Sequence, residues 1–257
     1  MEDVIEFCNK VFNCDNQEIF ARLPDNSIDL IITDPPYKDY QSNRPVAHAK
    51  VKKIYEEHFD IPYFIEQSAR VLKPACHFYC WCDHYTFPDI VKAIESLQMN
   101  KKKEKSDNYL IYRNCLVWVK NNHGSGDLEG NYAPQHEFII FATKGKGKPL
   151  IGKRQPNVFF KRTPRGIEFY KKVSNYKFEH GTAKPVEILR LMIASSSQTD
   201  DLVFDPYAGT MSLGEACFLE GRNYLLVEID EQHYRNGMRR LGLISNQPTL
   251  FGGDDGT

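Results

Sequence analysis

Short apolar runs alternate with amphipathic stretches along almost the whole chain, and this alternation restricts the fold more than any other feature of the sequence. The runs have the length and composition of buried strands. The predicted strands are Asp29–Ile32, Cys76–Trp81, Cys115–Val119, Glu137–Ala142, Leu202–Phe204 and Asn223–Glu228. The pattern predicts an α/β fold, with a mostly parallel sheet and helices on both of its faces.

Apolar residues at helical spacing mark four stretches between these strands. The predicted helices are Ile61–Leu72 ending at Lys73-Pro74, Phe87–Leu97 with Thr86 as N-cap, Ile188–Ile193 opened by Pro185, and Leu213–Cys217 ending near Gly221. Three polar stretches interrupt the alternation, at 38–60, 120–135 and 144–177. Long stretches of this kind in a compact domain are often functional loops.

The composition is that of an ordinary globular domain. The chain has 257 residues, of which 41% are apolar and 26% charged, and this excludes disordered, collagen-like and coiled-coil proteins. No apolar run approaches the roughly 18 residues that a membrane span needs. The acidic N-terminus, MEDVIEFCNK, lacks the layout of a signal peptide, and seven cysteines are irregularly spaced. We therefore expect reduced thiols and a cytoplasmic setting.

The net charge of −1 conceals a strongly basic segment, 144–177. That segment contains eleven lysines and arginines and one acid, so the rest of the chain is strongly acidic. Its interleaved phenylalanines and tyrosines suit the neutralisation of phosphates combined with base stacking. A solvated basic loop is the alternative, because charge runs usually lie on solvated faces.

The cysteines and histidines between residues 76 and 84 do not predict a metal site. Cys76, Cys80 and Cys82 lie at strand period in an apolar run, and no paired C-x-x-C is present. Buried structural thiols account for this pattern better than metal ligands do.

The motif SIDLIITDPPYK joins a buried strand to a stiff turn. Asp34 follows the strand, and the two prolines after it fix φ and remove two N–H donors. A carboxylate, a bare carbonyl and the Tyr37 ring therefore lie at the carboxyl end of a strand, where open α/β sheets bind ligands. An ordinary turn that starts a loop is the alternative from these four residues alone.

A second strand-end motif lies between Asp205 and Glu228. A strand ends at Asp205, a turn through Gly209 leads into a helix, and the next strand ends at Glu228. Gly209 permits close backbone approach, and the helix N-terminus offers free N–H groups. Glu228 follows Gly209 by 19 residues, near the spacing at which an acid binds ribose hydroxyls. The motif indicates a nucleoside-bearing cofactor, with a plain β–α turn as the alternative.

Together these motifs resemble the S-adenosylmethionine-dependent DNA amino-methyltransferases, in particular the permuted (beta) class in which the DPPY motif precedes the cofactor motif. The resemblance covers most of the chain, from about residue 10 to about residue 242. Further elements similar to those of the family are Asn13-Cys14-Asp15, Ala69–Pro74 and His180–Pro185. The resemblance implies a Rossmann-like methyltransferase fold with circularly permuted motif order, S-adenosylmethionine as cofactor and duplex DNA as partner.

The resemblance also assigns site residues. Those implied to be catalytic are Asp34, Pro35, Pro36 and Tyr37. Those implied to bind the cofactor are Asp15, Asp34, Thr182, Lys184, Phe204, Asp205, Pro206, Tyr207, Gly209, Glu228 and Ile229. The basic segment is implied to be the target-recognition region, with DNA contacts from Lys144, Lys146, Lys148, Lys153, Arg154, Lys161, Arg162, Arg165, Lys171 and Lys172.

The implied reaction is methylation of an exocyclic base amine. Asp34 and the Pro35 carbonyl would accept its two N–H groups, Tyr37 would stack on the flipped-out base, and residues 38–60 would form a lid. Asp before the two prolines favours N6 of adenine over N4 of cytosine in this family, and both remain open. Met211 stands where the family usually has a second glycine, and this departure leaves a non-catalytic DNA-binding protein as a third hypothesis.

We expect residues 1–143 to be the catalytic half of the domain, 144–179 the recognition insertion, 180–242 the cofactor-binding half and 243–257 a flexible tail. The resemblance implies a homodimer and a bacterial or phage-infected cell. In the tail, Gln247–Phe251 resembles the Q-x-x-L-F peptide with which bacterial DNA-processing proteins bind the replication sliding clamp, although such a short pattern arises often by chance.

Overall fold

A computed structural model describes residues 2–37, 59–120, 130, 132–160 and 183–243. Among these residues, one mixed sheet is covered by helices on both faces. Its strands are β1 (Lys10–Phe12), β2 (Ile28–Thr33), β3 (Leu72–Cys82), β4 (Leu110–Val119), β5 (His136–Lys144), β6 (Val158–Phe160), β7 (Leu202–Asp205) and β8 (Asn223–Val227). The helices are α1 (Glu2–Ile5), α2 (Asn16–Arg22), α3 (Ile61–Val71), α4 (Thr86–Lys103), α5 (Val186–Ser196), α6 (Ser212–Glu220) and α7 (Glu231–Arg240).

The strands lie in the order β1-β8-β7-β2-β3-β5-β4-β6. All neighbouring pairs from β1 to β3 are parallel, as is β4 with β6, whereas β5 runs antiparallel to both β3 and β4. Consequently β5 begins at the edge where β2, β3 and β7 end. The predicted α/β class with a mostly parallel sheet is confirmed.

Strand β2 is buried on both faces, which explains its almost continuous apolar sequence. Ile31 packs in one core with residues of α2, α3 and α4, and Leu30 and Ile32 pack in the other with α5 and α6. The two layers fix β2 rigidly, so the turn that begins at Asp34 starts from an immobile strand end.

The predictions for the end of α3 at Lys73-Pro74 and for Thr86 as the N-cap of α4 were wrong. Helix α3 ends at Val71 and β3 starts at once, so Lys73-Pro74 lies inside a strand. Pro74 is tolerated there because the pairing of β2 with β3 is irregular at this point and Ala75 has a φ of 64°. Thr86 is the first residue of α4 and not its N-cap, and its N–H donates to the Asp83 carboxylate at 2.7 Å.

Helix α5 begins directly after Pro185, and α6 ends at Glu220 with Gly221 as its C-cap, as the sequence predicted. The φ of 68° at Gly221 is the left-handed conformation that favours glycine. Other predicted elements are longer in the structure, where α4 continues to Lys103 and β4 begins at Leu110. Strands β1 and β6, of three residues each, were not predicted. Within the ranges that the structure describes, no helix is long and apolar enough to span a bilayer.

Candidate active site

The two strand-end motifs meet at one edge of the sheet because β2 and β7 are parallel neighbours. Thr33, the last residue of β2, donates its hydroxyl to Asp205 Oδ1 at 2.7 Å, across 172 residues of sequence. Strand β8 lies next to β7 and ends one residue before Glu228. The structure therefore brings together the carboxylates of Asp34, Asp205 and Glu228 that the sequence singled out.

The Asp34 carboxylate is engaged on both oxygens. Tyr37 donates its hydroxyl to Oδ1 at 2.7 Å, and Lys184 Nζ lies 2.8 Å from Oδ2. Lys184 precedes α5 and also donates to the Tyr37 hydroxyl at 3.2 Å. Pro35 is buried and Pro36 half-buried. The turn thus places a carboxylate, an aromatic ring and an ammonium group in one cluster.

A second carboxylate, from Glu137, completes this cluster and was not identified as a site residue. Glu137 Oε2 lies 2.8 Å from Lys184 Nζ, and its Oε1 lies 2.6 Å from Lys120 Nζ. The antiparallel direction of β5 brings Glu137, its second residue, to the carboxyl edge of the parallel strands. An acid that opens an otherwise apolar predicted strand was the available sequence signal.

The charges of this cluster are interdependent. Burial raises the pKa of Asp34, and the nearby Lys184 ammonium only partly opposes this effect. Burial would also raise the pKa of Glu137, but Lys184 and Lys120 lower it to about 2. Burial would lower the pKa of Lys184, but the two carboxylates raise it. At neutral pH Glu137 and Lys184 are therefore charged, and Asp34 is the more basic of the two carboxylates.

Beside the cluster, the loop after β7 is held by Glu228. Gly209 N–H donates to Glu228 Oε2 at 2.7 Å, and Asp230 N–H donates to Oε1 at 2.8 Å. The Asn13 side chain donates to the Glu228 carbonyl at 2.7 Å. A Cβ added at Gly209 would project into open space, so this loop borders a free volume. The arrangement leaves a buried carboxylate next to an accessible loop.

The remaining residues of the predicted cofactor set differ in position. Asp15 caps α2 by accepting from Gln17 N–H at 2.9 Å, and Asn16 donates to the carbonyl of Pro206 at 3.3 Å. The Phe204 ring is fully buried against Phe20, so only the backbone of Phe204 is available at the edge. Tyr207 packs against aromatic rings of the core, and Ile229 is partly exposed. Thr182 lies outside the described residues.

Lys144 was wrongly predicted as a DNA contact. Its side chain is buried, and Nζ donates to Asn26 Oδ1 at 2.7 Å and to the carbonyl of Leu72 at 2.8 Å. Burial lowers the pKa of this amine to about 8. The prediction failed because β5 continues two residues past its predicted end and carries Lys144 inward at its terminus.

The first half of the basic segment lies away from Asp34. Strand β5 runs nine residues from the edge of the sheet that bears Asp34 to Lys144, a distance of about 25 Å. Lys148 N–H bonds the Ala75 carbonyl there, and Lys146, Lys153 and Arg154 are exposed. Strand β6 brings the chain back toward the edge that bears Asp34, where Phe160 pairs with Val119. The other predicted contacts, Lys161, Arg162, Arg165, Lys171 and Lys172, lie outside the described residues, as do residues 38–58 and 244–257.

In the described part of the chain, no group of three or more histidine, cysteine, aspartate or glutamate side chains is placed to hold a metal ion. Cys76, Cys80 and Cys82 are buried in β3, and burial raises the pKa of each thiol.

We expect Asp205→Asn to stabilise the protein above pH 7. Burial raises the pKa of Asp205 to about 7, although Thr33 and Tyr207 donate to its carboxylate. A group whose pKa is higher in the folded state stabilises at low pH, and this contribution is lost as pH rises from about 4 to about 7, by about 1.4 kcal/mol per unit of pKa difference. Asn retains the acceptor oxygen without the charge.

Thermal unfolding of Asp205→Asn and wild type between pH 4 and pH 9 measures this effect. The difference in Tm should grow up to about pH 7 and vanish near pH 4. Asp107→Asn, at an exposed position, serves as the control. A difference in Tm that does not depend on pH would contradict the prediction.

Comparison with known proteins extends these observations. The model of the DNA methylase family matches residues 28–239. The chain is 28% identical, over 247 residues, to DNA adenine methyltransferase YhdJ of Escherichia coli K12, covering 88% of this chain and 80% of that protein.

Two solved structures share the fold. The complex of M1.HpyAVI with SAM has a TM-score of 0.62 at 21% identity and is matched over 90% of this chain and 98% of its own. The cytosine-N4-specific PvuII DNA methyltransferase has a TM-score of 0.65 at 15% identity, matched over 93% and 88%. The proteins to which this chain is similar therefore include an adenine methyltransferase and a cytosine-N4 methyltransferase.

Proposed function

Because the chain belongs to the DNA methylase family, we propose that it transfers a methyl group from S-adenosylmethionine to N6 of a flipped-out adenine in duplex DNA. The observation that carries the proposal is the adjacency of the Asp34–Tyr37 turn to the loop held by Glu228, at one edge of the sheet. Amine acceptors and a nucleoside-binding loop are thereby close enough to serve one reaction.

The loop between β7 and α6 fits the cofactor. The buried Glu228 carboxylate would accept the ribose hydroxyls, and the open space at Gly209 supports a close approach of the cofactor to the backbone. When bound, S-adenosylmethionine supplies an electrophilic methyl group on a positively charged sulfur. The residues of this chain have to bind the nucleoside, orient the base and remove a proton.

Asp34 is the residue that we assign to the substrate amine. A carboxylate that accepts one N–H, together with the Pro35 carbonyl accepting the other, draws both hydrogens out of the ring plane and so localises the nitrogen lone pair. Asp34 would take up the proton that the amine releases when it is methylated. Burial suits Asp34 to this task because it makes the carboxylate more basic. The Tyr37 ring is held by its bond to Asp34 and would stack on the base.

Contact with duplex DNA is assigned to the part of the basic segment that follows Phe160. Phe160, the last described residue before this part, pairs with Val119 at the edge of the sheet that bears Asp34, whereas Lys146 and Lys148 lie near the opposite edge. Phosphate contacts from such residues would position the duplex without reading its sequence.

Product analysis tests the proposal. Unmethylated duplex DNA is incubated with the purified chain and S-adenosylmethionine, digested to nucleosides and examined by mass spectrometry. N6-methyladenine is the expected product. N4-methylcytosine would overturn the choice of base, and absence of any methylated nucleoside with several DNA sources would overturn the enzymatic function.

Glu228→Gln is expected to weaken S-adenosylmethionine binding by about 10- to 100-fold, since hydrogen bonds to a charged group contribute about 1.5–3 kcal/mol. The neutral amide also places an NH2 group against the N–H of either Gly209 or Asp230, which loosens the loop. Calorimetric titration with the cofactor measures the change. Glu95→Gln on the exposed side of α4 should bind like wild type. Equal affinity of Glu228→Gln and wild type would remove Glu228 from the cofactor site.

A further inference from the structure

Lys184 is bonded to the same carboxylate that the substrate amine would bind. Its Nζ lies 2.8 Å from Asp34 Oδ2, and the Tyr37 hydroxyl takes the other oxygen of the same carboxylate. The Asp34 side chain is 29% exposed, whereas that of Lys184 is 9% exposed, so the base approaches from the side of Asp34. Each carboxylate oxygen has two lone pairs, but the ammonium is a strong charged donor and lowers the basicity of Asp34, so an amine that bonds Oδ2 competes with Lys184 for this oxygen.

Glu137 provides the alternative partner for Lys184. Its Oε2 lies at the same 2.8 Å distance from Nζ, and the bond of Lys120 to its Oε1 fixes the carboxylate in place. The two carboxylates and the two ammonium groups balance in charge. A buried ammonium cannot leave one carboxylate without another to receive it, because an unpaired charge in the interior is strongly unfavourable.

We propose that Glu137 is a positioning residue, which retains the Lys184 ammonium when the substrate amine binds Asp34. Lys184 then turns from a bridge between two carboxylates into a partner of Glu137 alone, and Asp34 keeps its charge with one oxygen free for the amine. This inference rests on the proposed amine methylation. It assigns to Glu137 a role that depends on Lys184 and requires no contact with the substrate.

Replacing Glu137 with Gln should leave Asp34 as the one carboxylate bonded to Lys184 among the described residues. The ammonium then competes with the substrate amine, and we expect kcat to fall by about tenfold or more while the Kd for S-adenosylmethionine stays within about threefold. Glu95→Gln is the matched control, because it removes an exposed carboxylate from α4. Thermal unfolding verifies that each variant is folded.

The pH profile separates positioning from a structural role. The groups that face Asp34 are Lys184, Glu137 and Tyr37, with Cys80, Cys82 and Asp205 acting on it at longer range. The negative charge of Glu137 raises the pKa of Asp34. Its removal, together with tighter pairing to Lys184, lowers that pKa, so the acid limb of kcat should move to lower pH by about half a unit or more. Glu137→Asp keeps the charge and should leave the limb near its wild-type position.

A double variant tests the dependence on Lys184. If Glu137 acts through Lys184, Glu137→Gln/Lys184→Gln should be no less active than Lys184→Gln alone. The inference would be overturned if the losses of activity in the two single variants multiplied in the double variant. It would also be overturned if Glu137→Gln had the wild-type kcat, or if the acid limb of its kcat profile did not move. These results are distinct from failure of the proposed function, in which the wild-type chain itself methylates no DNA.

Discussion

Asp34→Asn is expected to reduce methyl transfer to DNA by about 10²- to 10⁴-fold, the range that general base catalysis contributes. The amide is isosteric with the carboxylate, but it cannot take a proton and presents an NH2 group at one of two acceptor positions. Lys184 and Tyr37 already donate to the two oxygens of Asp34. In either orientation of the Asn amide, its NH2 group would therefore face one of these two donors. The loss should therefore appear in kcat.

Cofactor binding distinguishes this effect from unfolding. The resemblance assigns Asp34 to the cofactor set as well, but Asn has the same size and leaves Glu228 and Gly209 in place, so the calorimetric Kd for S-adenosylmethionine should stay within about threefold of wild type. Asp107→Asn makes the same chemical change at an exposed position and should methylate DNA at the wild-type rate. If Asp34→Asn labels DNA with tritiated methyl groups as fast as wild type, Asp34 is not the acceptor of the amine.

The predicted carboxylates came together because their positions follow from strand polarity. Asp34 and Glu228 each follow a strand, Asp205 is the last residue of one, and parallel neighbours end at a common edge. That inference needs only the direction of each strand and the parallel pairing that an α/β pattern implies. The element Asn13-Cys14-Asp15 follows β1, a parallel neighbour of β8, and Asn13 donates to the carbonyl of Glu228 at the same edge.

Glu137 could not be placed in this way. It lies 100 residues from Tyr37 in sequence, and its arrival at the same edge depends on β5 entering the sheet beside β3 in the antiparallel direction. Neither strand order nor that reversal is encoded in a local pattern. The prediction for Lys144 was wrong because it rested on charge composition alone, which assigns a lysine to the surface. In the structure its ammonium group is buried and donates to the Leu72 carbonyl and the Asn26 side chain.

The departure at Met211 has a structural explanation that sequence could not supply. Met211 has a φ of 60°, in the left-handed region where glycine is favoured, and its side chain is fully buried. It packs on Gly237 of α7, where an added Cβ would lie 2.4 Å from Met211 Cγ. The methionine side chain is thus accommodated under α7 by a glycine there, which leaves the loop at Gly209 open.

Restoring a glycine at this position is therefore expected to destabilise the protein. Met211→Gly removes a buried side chain, at a cost of about 2–5 kcal/mol, and relieves about 1–2 kcal/mol of left-handed strain. Met211→Ala creates nearly the same cavity without that relief, so the free energy of unfolding should decrease from wild type to Met211→Gly to Met211→Ala. Urea denaturation at fixed pH measures all three.

The cofactor provides the second half of the test. Because the side chain of Met211 lies against Gly237, Met211→Gly should bind S-adenosylmethionine within about threefold of wild type when both are folded. Adding Gly237→Ala to Met211→Gly places a methyl group in the vacated space and should recover part of the lost stability. In Gly237→Ala alone, the same methyl group would clash with Met211 and should lower the free energy of unfolding by about 1–3 kcal/mol. A glycine variant that is more stable than wild type would show that the strain at Met211 outweighs its packing. One that binds the cofactor tenfold more tightly would show that the methionine restricts the loop.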